Sequence, residues 1–89
     1  VKGGAVMAVS KLVEVTDAVP MDSHRVAVRF DDGFTGVLDM RKYFEWPAYR
    51  KLTNPVFFKT ARQDLGTVVW GDGNIDVAPE VAREEAVAF

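Results

Sequence analysis

Five aspartates, placed beside turns or at the ends of apolar runs, are the side chains of this sequence best suited to chemistry. They are Asp31, Asp32, Asp39, Asp72 and Asp76. Grouped carboxylates can transfer protons or hold Mg²⁺ or Ca²⁺. Each also has a structural explanation, because aspartate bonds its own backbone in turns and caps helices. The sequence favours the structural roles, and a small metal-dependent enzyme that uses Asp31, Asp32 and Asp76 is an alternative.

Other side chains that serve catalysis or metal binding are scarce. His24 is the single histidine and there is no cysteine, so the chain has neither a His/Cys ligand set nor a thiolate nucleophile. The segment Gly71-Asp72-Gly73 lacks the spacing and the lysine of a phosphate-binding loop. Neither Ser10 nor Ser23 lies in a nucleophile elbow. We therefore predict a protein that is not an enzyme, with no catalytic residue, no metal ligand and no cofactor.

Length and charge limit the class of partner. A chain of 89 residues suffices for one domain with a thin core, and its hydrophobic content of 48% indicates that it folds. A net charge of −2 is not the basic footprint of a nucleic-acid-binding protein. No apolar run is long enough to span a bilayer. We expect a cytoplasmic protein that does not enter a membrane and does not bind nucleic acid directly.

The start of the chain differs from the rest. Residues 1–10 are apolar with one lysine and begin without a methionine. This segment is too short and too weakly charged for a signal peptide. We interpret them as a lead-in that is disordered or left over from a tag. Residues 11–89 are predicted to form a single α+β domain.

The strands that position the five aspartates are predicted from two Asp-Gly turns, each of which lies between apolar runs. At the first turn, a three-residue loop, Asp31-Asp32-Gly33, pairs Phe30 with Phe34 and gives one face that is wholly apolar or glycine. At the second turn, a two-residue loop, Asp72-Gly73, pairs Trp70 with Ile75.

About six mostly antiparallel strands follow from these patterns. They are Leu12–Thr16, Arg25–Phe30, Phe34–Met40, Phe58–Gln63, Thr67–Trp70 and a strand that includes Ile75. The segment between Val19 and His24 contains Pro, Asp and Ser and is predicted to be a connection.

Short helices interrupt the strands in the middle of the chain. Asp39 is placed to cap a helix over Met40–Phe44, and Asn54 is placed to cap a turn that begins at Pro55. A further turn is predicted from Pro47 to Leu52. The C-terminal helix is predicted to start at Pro79, with its apolar stripe at Ala82, Ala86 and Phe89. This order indicates an α+β fold whose short central helices lie across one face of a sheet.

Five segments of the chain, taken in order, carry a resemblance to a known family. They are Val26–Gly33, Asp39, Leu52 with Asn54–Phe58, Val68–Trp70 and Asp76–Glu80. Together they resemble a bacterial family, domain of unknown function 2442, over about residues 12–82. The resemblance implies a small α+β domain that occurs alone or fused to a helix-turn-helix. Stand-alone members often lie beside a second small protein, and the resemblance therefore implies a toxin–antitoxin-like pair.

Aromatic residues exceed what so thin a core can hide. We predict that Trp46, Tyr49 and Trp70 form an interaction patch, since Trp and Tyr are favoured interface anchors. The leading hypothesis is a non-enzymatic module that binds a protein partner or a second copy of itself, as the accessory or antitoxin-like half of a two-protein system. The alternative is a regulator linked to nucleic acid. Its candidate cations are Arg41, Lys42, Arg50 and Lys51.

Overall fold

Two antiparallel sheets organise the protein. The computed structural model describes residues 13–89, so the lead-in predicted over residues 1–10 lies outside the described residues. One sheet has four strands in the order β1 (Val15–Met21), β2 (Arg25–Phe30), β3 (Thr35–Asp39) and β7 (Val87–Ala88). The other has three strands in the order β4 (Arg62–Asp64), β5 (Thr67–Trp70) and β6 (Ile75–Val77). With the helices below, this arrangement confirms the α+β class.

In the part of the chain that the structure describes, four short helices connect and flank the sheets. Two are 3₁₀ helices, Met40–Tyr43 and Pro47–Thr53, and two are α-helices, α1 (Pro55–Phe58) and α2 (Pro79–Glu85). The predicted caps are confirmed: Asp39 Oδ1 accepts a hydrogen bond from the Arg41 amide at 3.0 Å, and Asn54 Oδ1 accepts one from the Val56 amide at 2.9 Å. These bonds satisfy amides that a helix start otherwise leaves unpaired.

The β2–β3 hairpin has the register that the sequence predicted. The Phe30 amide donates to the Phe34 carbonyl at 2.9 Å, and Val28 pairs with Gly36. Gly33 has a φ of 91°, which is the left-handed conformation expected of the glycine in a three-residue loop. One face of this hairpin therefore points its apolar side chains into the core.

The β5–β6 hairpin has the predicted register but a longer loop. Trp70 pairs with Ile75 as expected, yet residues 71–74 form a four-residue loop instead of the tight Asp72-Gly73 turn. The cause is Gly71, whose amide donates to Thr60 Oγ1 at 2.8 Å and whose carbonyl accepts from Arg62 at 2.6 Å. These bonds take the Gly71 backbone out of the ladder.

The first strand runs further than the sequence predicted. It spans Val15–Met21, not Leu12–Thr16, and Leu12 itself lies outside the described residues. The connection predicted over Val19–His24 is wrong in its first half. Among the described residues β1 is an edge strand, where a missing amide costs no ladder bond, so Pro20 is tolerated there. A bulge between Val15 and Asp17 also breaks the alternation that marks a strand.

Two further boundaries differ from the prediction. The strand predicted over Phe58–Gln63 is confined to Arg62–Asp64, because α1 continues through Phe58. The C-terminal helix ends at Glu85, and Phe89 is 74% exposed instead of completing the apolar stripe. The last residues leave the helix because β7 pairs with β3, where Gly36 has no side chain to obstruct the Val87 carbonyl.

One core joins the two sheets and the helices. Its larger fully buried side chains are Trp70, Phe30, Leu38, Met40, Leu52, Val15, Val26, Val68 and Val77. The 3₁₀ helices contribute Met40 and Leu52, which agrees with their predicted place over a sheet face. The amide of Val15 donates to the Gly66 carbonyl at 2.8 Å and so ties β1 to the β4–β5 turn.

Replacement of Leu65 by asparagine is expected to stabilise the fold by about 1 kcal/mol, because the β4–β5 turn demands a left-handed backbone that leucine disfavours. Leu65 has a φ of 53° and is 93% exposed, so its side chain loses nothing by the change. Urea unfolding of L65N measures the gain. Leu65→Ala is the control, since it keeps the backbone penalty; an equal gain in both variants would contradict the explanation.

Candidate functional site

The three residues of the predicted patch do not share a surface. Trp46 is 57% exposed, and Tyr49 is half-buried with its hydroxyl donating to the Asp76 carbonyl at 3.0 Å. Trp70 is fully buried, and its ring centroid lies 5.8 Å from that of Phe58. Trp70 therefore belongs to the core, because β5 lies between two other strands and is buried along its last three residues.

A cleft of about 500 Å³ lies between the second 3₁₀ helix, Pro47–Thr53, and the β5–β6 loop. Its lining combines apolar side chains with one cation and one anion: Pro47, Ala48, Lys51, Phe57, Asp72, Asn74 and Ile75. The cleft begins directly after Trp46, the most exposed aromatic side chain before the C-terminus. Pockets of this size and mixed lining are typical of binding sites.

Hydrogen bonds fix both walls of the cleft. The helix wall is tied to β6 by the Tyr49 hydroxyl, which donates to the Asp76 carbonyl. The loop wall is held by the bonds from Gly71 to Thr60 and from Arg62 to Gly71. A Cβ at Gly71 would lie 2.9 Å from the Phe57 ring, so the loop rests closely on the floor of the cleft. Both walls of the cleft are therefore tied to the rest of the fold by contacts within the chain.

The two charges in the cleft come from opposite walls. Lys51 stands on the helix, with its Nζ 5.7 Å from the centroid of the Phe57 ring. Asp72 stands on the loop, where its Oδ1 accepts from the Asn74 amide at 3.3 Å. Both residues were candidates from the sequence, one in a basic set and one in an acidic set. Their position on opposite walls of one cleft with an apolar floor was not predicted.

The carboxylates of the alternative metal site have separate local partners. The Asp31 carboxylate accepts from the Glu14 amide, and Asp32 pairs with Arg83 at 3.0 Å. The Phe34 amide and the Arg83 side chain lower the pKa of Asp32. Asp76 belongs to β6 in the other sheet. Within residues 13–89, no group of three His, Asp or Glu side chains is arranged to hold a metal ion.

His24 has a packing role. Its ring meets Phe44 and Phe58 edge-on, with centroid distances of 5.0 and 5.2 Å. Its Nε2 lies 3.2 Å from the Thr53 carbonyl, to which it donates when it carries the proton. The half-buried histidine thus joins the β1–β2 turn to the central helices.

The basic set of the nucleic-acid alternative is partly neutralised. Arg41 pairs with Asp39 at 2.6 Å, and Lys42 pairs with Glu85. Arg50 and Lys51 are exposed, but Lys51 belongs to the cleft that also contains Asp72. The free positive charge on this surface is therefore smaller than the sequence indicated.

A family model described as "Protein of unknown function (DUF2442)" matches residues 15–86, which is most of the chain. The chain belongs to the DUF2442 family. No curated protein and no solved structure matches it. All residues that line the cleft lie inside the matched part of this DUF2442 domain, whereas β7 lies outside it. In the described part of the domain, no helix has the length and apolarity needed to cross a membrane.

Asp39→Asn is expected to weaken the DUF2442 domain near pH 7 but not near pH 2. Hydrogen bonding from the Arg41 side chain lowers the pKa of Asp39 from 3.8 to about 2. Because the folded pKa is the lower one, the ion pair stabilises the fold above about pH 4 and its contribution disappears as the pH falls toward 2. The pair is exposed to solvent, so we expect a loss of about 1 kcal/mol or less in urea unfolding.

Asparagine keeps the helix cap, which isolates the charge in this experiment. Arg41→Gln removes the same pair from the other side and is expected to give the same pH dependence. A loss that is equal at both pH values would show that the cap, not the ion pair, had been disturbed.

Proposed function

We propose that this protein is a non-enzymatic protein-binding module whose cleft receives a segment of a partner protein. The observation that carries the proposal is the combination of an apolar floor with Lys51 and Asp72 on opposite walls. A peptide offers both chemistries at once, since apolar side chains alternate with charged groups and backbone amides along it. A small hydrophobic ligand would leave the two charges unpaired.

Trp46 supports a protein ligand at this site. It is 57% exposed and is followed directly by Pro47, which lines the cleft. An exposed tryptophan is a common anchor in protein interfaces. The match to the DUF2442 family supports the more specific proposal, because the family resemblance implies a toxin–antitoxin-like pair. The module would then be the accessory or antitoxin-like half of a two-protein system.

Co-expression with the product of an adjacent gene, followed by size-exclusion chromatography with mass measurement, tests the proposal. We expect a stable complex with the wild-type protein. Ala48→Arg places a long charged side chain on an exposed position of the cleft wall and is expected to weaken binding at least tenfold. Trp46→Ala is expected to weaken it to a similar degree.

Val56→Arg is the matched control, because Val56 is 77% exposed and does not line the cleft. It adds the same side chain to a neighbouring surface. If Ala48→Arg and Val56→Arg had equal effects, the cleft would not be the binding site. If the wild-type protein retained no partner and eluted as a monomer, the proposed function would be wrong.

A further inference from the structure

The outer face of the four-stranded sheet, which points away from the core, has an apolar row across all of its strands. Val19 pairs with Ala27, Ala27 with Val37, and Val37 with Val87. Val19 and Val87 are 50% and 71% exposed, and the two middle residues are half-buried. Within residues 13–89, none of the four belongs to the buried core cluster. The row is therefore apolar surface that lies outside the core formed by residues 13–89.

Charged rows lie on both sides of the apolar row. On one side Arg25 pairs with Asp39 across β2 and β3, and on the other side Arg29 pairs with Thr35. Phe89 is 74% exposed and lines a depression on the same face. The depression measures about 90 Å³ and its other walls are Asp17, Val19, Ala27, Val28, Arg29 and Thr35. The outer face thus combines apolar side chains with charges of both signs.

We propose that the outer face binds a second copy of this chain, with the two sheets packed face to face about a two-fold axis. The axis runs parallel to the strands, between β2 and β3. It places β2 of one copy over β3 of the other. Each row of one copy then lies opposite the same row of the other copy. The apolar rows then meet, and Arg25 of each copy faces Asp39 of the other. Isologous contact of this kind requires that a surface complement itself.

The charges select this axis over the other two-fold arrangement. An axis parallel to the rows would exchange the two charged rows, so that Arg25 of one copy faced Arg29 of the other. Like charges opposed in an interface disfavour that arrangement. The axis parallel to the strands instead brings Arg25 of each copy opposite Asp39 of the other, a carboxylate that also pairs with Arg41 of its own copy. The pattern on this face is therefore complementary to itself in one orientation.

The area of the face predicts a weak dimer. Four strands spaced by ~4.8 Å and about five residues long at ~3.3 Å each give roughly 300 Å² of flat surface per copy. Protruding side chains make the accessible surface larger than this flat area. The two copies together would therefore bury roughly 800–1,000 Å² of accessible surface, which is at the low end for specific interfaces. We therefore expect association in the micromolar range or weaker.

Sedimentation equilibrium over a series of protein concentrations tests the inference. The average mass of the wild-type protein is expected to rise from the monomer value of 9.9 kDa toward twice that value. Val87→Glu is expected to lower the association constant at least tenfold, because it buries a charge in the apolar row. Val87 is exposed in the monomer, so the variant is expected to keep the wild-type thermal unfolding. Val56→Glu is the matched control and should associate normally.

A gain-of-function variant tests the axis. Thr35→Asp places a carboxylate opposite Arg29 of the other copy and is expected to tighten the dimer severalfold at low salt. A wild-type protein that stayed monomeric at millimolar concentration would overturn the inference. A dimer that resisted Val87→Glu would also do so, and weaker association of Thr35→Asp would exclude the axis. Ala48→Arg in the cleft should leave the mass unchanged, which separates this interface from the proposed partner site.

Discussion

Trp70→Ala is expected to remove a large share of the free energy of unfolding of the protein. Trp70 is fully buried and packs against Phe58 at the junction of β5 with α1. Removal of a buried tryptophan side chain costs about 3–5 kcal/mol. The total stability of a domain of this length is about 4–13 kcal/mol. Urea unfolding followed by circular dichroism would measure a midpoint near zero denaturant if the lower part of that range applies.

Trp70→Phe separates the two contributions of this side chain. Within residues 13–89 the buried indole Nε1 has no hydrogen-bond partner, and such a group costs about 1–3 kcal/mol. Phenylalanine removes that cost while it leaves a smaller cavity than alanine does. We therefore expect Trp70→Phe to change the stability by no more than about 1.5 kcal/mol. A loss as large as that of Trp70→Ala would show that the indole makes a polar contact.

Gly36→Ala is expected to destabilise the protein by about 2 kcal/mol, because overpacking against fixed atoms costs that amount. A Cβ at Gly36 would lie 2.6 Å from the Val87 carbonyl oxygen, and main chain cannot move away as a flexible side chain does. The simplest way to remove this clash is for β7 to separate from β3. Thermal unfolding measures the loss, and faster hydrogen exchange at the Val37 and Val87 amides would locate it.

A chain that ends at Ala86 provides the control for Gly36→Ala. It lacks the Val87 carbonyl, so the clash no longer exists, and the second close atom belongs to the movable Phe34 ring. In a strand interior alanine is otherwise preferred over glycine by about 0.5–1 kcal/mol. The effect of the substitution should therefore change sign in the shortened chain. Destabilisation of the same size in both chains would exclude β7 as the cause.

Local chemistry explains what could be predicted from the sequence. The loop around Gly33 fixed the β2–β3 register, because a shift by one residue would have turned Val26 and Val28 to solvent. Asp39 and Asn54 marked two helix starts, because a capping side chain bonds a backbone amide no more than three residues further along the chain. These signals are contained in short segments and need no knowledge of the rest of the fold.

Contacts between distant segments account for what was missed. The division of the strands into two sheets and the pairing of β7 with β3 join residues far apart in the sequence, and nothing local marks either one. The cleft has the same origin, because Lys51 and Asp72 are brought together by the fold. Trp70 was placed on the surface because residue type alone cannot distinguish an interface anchor from a core side chain.

The contrast in exposure between the two tryptophans gives the protein a pair of independent optical reporters. Trp70 is enclosed, so its emission is expected at shorter wavelength and out of reach of acrylamide until the chain unfolds. Trp46 is 57% exposed and directly precedes Pro47, which lines the cleft, so its emission should be quenched freely and should respond to a partner bound there. One unlabelled sample can therefore report folding and binding at the same time, with no dye attached.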